Sequence, residues 1–109
     1  MTVPLPAYLL LALAIACEVA GTTALKASDG MTRLWPSLVV VAGYGLAFLL
    51  LGHALRTLPV GLVYAIWAGL GVVGVALIGA LLFGESFGAT KTAGIALILL
   101  GVVLVKTGG

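Results

Sequence analysis

Four apolar runs, each about twenty residues long and separated only by short polar punctuation, decide what this chain can fold into. A bilayer core about 30 Å thick is crossed by roughly 20 helical residues at about 1.5 Å each. The 109 residues therefore accommodate four crossings with short connections. The runs cover approximately residues 5–25, 34–54, 59–83 and 89–106. The first ends at Lys26, Ser28, Asp29 and Gly30, and the second enters at Trp35 and Pro36. The third follows Arg56, Thr57, Leu58 and Pro59, and the fourth follows the polar stretch from Glu85 to Lys91. Helices are predicted for all four, because an open strand cannot satisfy its backbone groups in lipid and the runs lack the alternation of a barrel. The expected fold is all-α and integral to the membrane, a four-transmembrane-helix bundle forming a single domain over residues 1–109.

Composition closes off the alternatives. Charged residues make up 7% of the chain and hydrophobic ones 63%, whereas a soluble domain carries about 25% charge. A water-soluble monomer is excluded. The net charge of +2 comes from five basic residues scattered along the chain, which form no patch for nucleic acid. Cys17 is the only cysteine, so no intrachain disulfide can form. The segment Leu13 to Cys17 resembles a lipoprotein signal, yet the first twelve residues contain no Lys or Arg. The first span is accordingly read as retained.

With both termini on one side, that side holds Arg56 and Lys106, while the other holds Lys26, Arg33 and Lys91. A difference of one charge sets orientation weakly. Insertion in both orientations, and antiparallel pairing of two copies, is the expectation that follows. The placement of glycine points to close helix contacts. Gly94 and Gly101 share one face of the fourth span, where small residues let a neighbouring helix approach, either within the chain or across a dimer seam. Gly69, Gly71 and Gly74 crowd the middle of the third span, as a hinge or as a packing surface.

Glu18 is the one acidic residue inside a span, since Asp29 and Glu85 fall in loops. It sits about 20 Å along the first helix, too deep for a short carboxylate to reach water. An ionisable group at that depth costs about 2.5 to 3.5 kcal/mol on the insertion scale. Its helical face carries Leu11, Ala14, Gly21, Thr22 and Leu25, mostly small, so the carboxyl points into a crevice. No Lys, Arg or His lies at comparable depth in any span. Loss of water penalises the charged carboxylate, which leaves it poised to hold a proton or a cationic ligand. The competing reading is a permanently neutral carboxyl with a structural role.

The aromatic residues favour an organic cation. Tyr64 and Trp67 share a face of the third span, and Tyr44 and Phe48 are one turn apart in the second. Trp67 lies deeper than the interfacial belt to which Trp35 and Tyr8 are assigned. Cation–π attraction adds about 0.5 to 2 kcal/mol per ring to charge pairing, although such a stripe also serves as packing. Ala14, Thr22 and Phe48 complete the expected substrate pocket. His53, near the end of the second span, has no second His to make a metal site and is read as interfacial. Nothing resembles a nucleophile triad, a phosphate loop or a dinucleotide fingerprint, so neither enzyme nor cofactor is expected.

Three stretches carry a resemblance over essentially the whole chain: Cys17 to Lys26, reading CEVAGTTALK; Gly30 to Ser37, reading GMTRLWPS; and Pro59 to Gly71, reading PVGLVYAIWAGLG. Together with Tyr44 and the Gly94 to Gly101 face, they closely resemble the small multidrug resistance family. Gly21, Thr22 and Thr23 stand where that family's guanidinium exporters usually place a Trp, so the likeness is to the quaternary-ammonium subtype. The resemblance implies a bacterial inner-membrane exporter of hydrophobic cations, working as an antiparallel homodimer in exchange for protons. It implies that Glu18 binds proton and drug in turn, that Tyr64 and Trp67 line the pocket, and that Tyr44 closes it. It makes Gly69 and Gly71 the hinge of the third helix. Ala68 departs from the Ser that relatives commonly carry after the Trp. A guanidinium exporter of the same family and a rotary-ATPase-like proteolipid subunit are the alternatives.

Overall fold

The structure, a computed structural model, describes residues 5–108. Four α-helices account for all regular structure among them: α1 (Leu5–Ala27), α2 (Leu34–Ala54), α3 (Val60–Phe83) and α4 (Ala89–Gly108). At about 1.5 Å per residue they are about 30 to 36 Å long, and each is apolar enough to cross a bilayer. The protein is thus a multi-pass membrane protein of four helices. The chain divides at Leu58 and Pro59 into two compact units, one of α1 with α2 and one of α3 with α4.

In the first unit the buried positions of α1 are Ala7, Leu11, Ala14, Ile15 and Gly21. Those of α2 are Val40, Ala47 and Ala54. Steps of three, four and seven residues place each set on one stripe, the geometry of a seam between near-parallel helix axes. Glycine sets how closely that seam shuts. A Cβ on Gly43 would lie 3.0 Å from the Cys17 carbonyl oxygen and 3.2 Å from Gly21 Cα, while one on Gly21 would lie 3.4 Å from the Tyr44 ring. Side-chain-free residues on both helices let the backbones nearly touch at this level.

The connection from α1 to α2 is built on Ser28, which is fully buried. Its hydroxyl donates to Leu25 O at 2.6 Å and accepts the Met31 N–H at 2.9 Å. Its carbonyl accepts the N–H groups of Thr32 and Arg33. Asp29, Gly30 and Met31 all take positive φ (51°, 72° and 68°), so the chain reverses through consecutive left-handed residues. Pro36 falls in the first turn of α2, where a missing N–H leaves no bond unmade.

In the second unit α3 begins after Pro59, whose extended backbone marks the helix start, and ends at Gly84 with φ 66°. The N–H groups of Gly84 and Glu85 both reach back to the Gly79 carbonyl. Gly69 faces α4, where a Cβ would lie 2.6 Å from Val102 Cγ2 and 3.5 Å from Ile98 Cγ2. No residue of α4 is buried among those described, and its Leu97, Leu100, Val103 and Leu104 are exposed, as lipid-facing side chains would be.

Candidate functional site

The first unit assembles a polar cluster inside an apolar pair of helices. Glu18 and Thr22 are one turn apart on α1, and the close approach at Gly21 and Gly43 brings Tyr44 of α2 to the same level. The Thr22 hydroxyl donates to Glu18 Oε1 at 3.3 Å and lies 2.5 Å from the Tyr44 hydroxyl. The other carboxyl oxygen, Glu18 Oε2, is buried and has no hydrogen-bond partner among the described residues. A buried acceptor without a donor is destabilising by about 1 to 3 kcal/mol, more when charged, a cost that a proton or cation at this atom would relieve.

Chemically the cluster joins one carboxyl to two hydroxyl groups. Among the described residues Glu18 Oε2 has no donor, and the basic and His side chains of these two helices, Lys26 and His53, sit in their last turns. Tyr44 is half-buried and its ring packs over Gly21, one turn above Glu18. Such a site can take up a positive charge from outside itself, while hydroxyl groups fix the geometry of the carboxyl.

The remaining residues picked out in the sequence fall in two groups. Ala14, one turn before Glu18, is 0% exposed and forms part of the packed seam rather than an open wall. Phe48, one turn beyond Tyr44, is exposed at 62%. Tyr64 and Trp67 belong to the second unit, where Tyr64 is exposed and Trp67 half-buried on α3. Gly69 and Gly71 are both buried in a helix that runs without interruption from Val60 to Phe83. Gly69 is therefore a packing position against Val102, whatever else it does. A Cβ on Gly94 or Gly101 would meet nothing within 4 Å, so that face of α4 is open.

Sequence reasoning missed Gly43. The available signal was its place on the stripe with Val40 and Ala47, a small residue where a helix partner comes close. It also did not foresee that Thr22 and Tyr44 bond to each other, since a contact across two helices has no period in the sequence.

Comparison with known proteins agrees with the four membrane-spanning helices. A family model described as Small Multidrug Resistance protein matches residues 6–98. A multidrug transporter of Pseudomonas aeruginosa is 50% identical over 91% of this chain and 90% of its own length. The quaternary ammonium compound-resistance protein QacF of Klebsiella aerogenes is also 50% identical, with the same coverage. A putative ethidium bromide resistance protein of Escherichia coli is 45% identical over 92% of this chain and 87% of its own length.

Proposed function

The chain belongs to the Small Multidrug Resistance family, and from that premise we propose that it exports hydrophobic aromatic and quaternary ammonium cations across the bacterial inner membrane in exchange for protons. That membership argues against a rotary-ATPase proteolipid, and the named relatives are drug-resistance transporters. The observation that carries the mechanism is the buried Oε2 of Glu18, without a hydrogen-bond partner among the described residues and beside two hydroxyl groups. Names of relatives that specify quaternary ammonium compounds and ethidium bromide support the substrate class.

One carboxylate cannot be neutralised by a proton and paired with a bulky cation at once. A proton entering from the acidic side neutralises Glu18 and releases the drug. Loss of that proton on the other side restores the charge and readies the site for the next drug. Exchange becomes obligatory when the loaded forms switch access and the empty charged form does not. On this reading Thr22 and Tyr44 flank the cation at Glu18, with Phe48 one turn beyond; on α3, Tyr64 and Trp67 would be substrate-facing rings and Gly69 with Gly71 its hinge. The four helices would act as one transmembrane domain, paired with an antiparallel second copy through the open Gly94 and Gly101 face of α4.

The test is tetraphenylphosphonium binding to the purified protein, with protons counted on addition of ligand. Release of protons, weaker binding as pH falls, and loss of both in Glu18→Gln are expected. Binding that ignores pH, or a Gln variant that still drives proton-coupled uptake in liposomes, would remove the mechanism.

A further inference from the structure

We propose that Thr22 is a positioning residue that fixes one carboxyl oxygen of Glu18 and thereby reserves the other for the exchanged charge, with Tyr44 as its anchor on α2. The inference rests on the exchange reading given above. It starts from an anomaly in hydroxyl bonding. Thr23, Ser37 and Thr92 each donate to the carbonyl four residues back, the usual outlet for a hydroxyl on a helix. Thr22, next to Thr23 on the same helix, donates to the Glu18 side chain instead.

Proton counting then orients the whole chain of bonds. A threonine hydroxyl has one hydrogen and accepts through its lone pairs. With that hydrogen given to Glu18 Oε1, the short contact to Tyr44 requires the tyrosine to donate. The sequence runs from Tyr44 O–H to Thr22 Oγ1 and from Thr22 O–H to Glu18 Oε1. Each bond polarises the next, and a bond to an ionised acceptor is the stronger kind. Oε1 thereby accepts from Thr22 on its own helix, whose oxygen is in turn held from α2, and among the described residues Oε2 is left buried and without a donor. Thr22 cannot be replaced in this role by Tyr44 acting directly, because its Oγ1 stands between the two groups and bonds to both.

A chain of bonds and two independent ligand contacts differ in how variants combine. Tetraphenylphosphonium affinity is measured for wild type, Thr22→Val, Thr22→Ser, Tyr44→Phe and the Thr22→Val/Tyr44→Phe pair at one pH where wild type releases protons on binding. Thr22→Val keeps the shape of the residue and should raise Kd about tenfold, the lower range for a hydrogen bond to a charged group. Thr22→Ser restores the hydroxyl and should return Kd to within about twofold of wild type. Tyr44→Phe should raise Kd about threefold by freeing Thr22 from its anchor, a neutral bond's worth. In the pair, the tyrosine change should add nothing to the tenfold loss, because its effect passes through Thr22. Multiplying losses, a Ser variant that fails to recover, or unchanged affinity in Thr22→Val would overturn the proposal. A wild type that neither releases protons nor loses affinity as pH falls would overturn the exchange reading as well, which separates the two failures.

Discussion

Replacing Gly69 by Ala should change sign in its effect on stability when Val102 is trimmed. In the native background the new methyl would lie 2.6 Å from Val102 Cγ2, more than 1 Å inside the roughly 3.5 to 4.0 Å optimum for two carbons. Val102 has little freedom to turn aside, since a β-branched residue in a helix is confined to essentially one rotamer. Overpacking of this kind costs about 1 to 3 kcal/mol, against a gain of about 0.5 to 1 kcal/mol from placing Ala rather than Gly in a helix interior. The net expectation is a loss of about 1 kcal/mol. In Val102→Ala the clashing methyl is gone, and the next side-chain atom, Ile98 Cγ2, lies at an ordinary 3.5 Å. There Gly69→Ala should stabilise by about 0.5 to 1 kcal/mol. Unfolding of the four proteins in mixed dodecylmaltoside and sodium dodecyl sulfate micelles closes the cycle. Equal effects of Gly69→Ala in both backgrounds would refute the packing argument. Transport by the double variant adds a second answer. If Gly69 also serves as a hinge, stability returns while turnover does not.

Three further outcomes follow from the same structure. Gly43→Ala places a methyl 3.0 Å from the Cys17 carbonyl oxygen, a backbone atom that can yield only if α1 and α2 part. It should therefore weaken tetraphenylphosphonium binding by stretching the adjacent Thr22–Tyr44 bond, with Gly43→Val worse; unaltered affinity in both variants would contradict the close approach. Gly30→Ala meets no atom within 4 Å but must hold φ at 72°, so it should lower stability by about 1 kcal/mol through backbone conformation alone, read from the same micelle unfolding curves. Single cysteines at Thr32 and at Thr57 in a Cys17→Ser background should both react with a membrane-impermeant maleimide on intact cells, as antiparallel pairing requires. Labelling of only one of them would argue for a single orientation.

Two kinds of information meet at Glu18. Its depth within the first span was legible in the sequence because depth is a count of residues from Lys26 and the polar connection that follows, and the cost of a carboxyl in hydrocarbon depends on that depth. The four spans were legible for the same reason: bilayer thickness converts directly into run length. α1 and α4 extend to Ala27 and Gly108, slightly beyond their apolar runs, because a helix continues through polar residues once it is nucleated.

Which partner each group chose was a different matter. Nothing in the one-dimensional order distinguishes Thr22 from Thr23, yet one bonds across to Tyr44 and the other back onto its own helix. Nor does the glycine cluster of α3 say that Val102 comes up against Gly69, or Gly43 in α2 that the Cys17 backbone lies over it. Membrane class, helix spans and the single acid within a span are properties of segments measured against a solvent, and the sequence alone determined them. The orientation of that acid's two oxygens depends on the rotation and spacing of one helix against another, and close packing of side chains in three dimensions is what decides those.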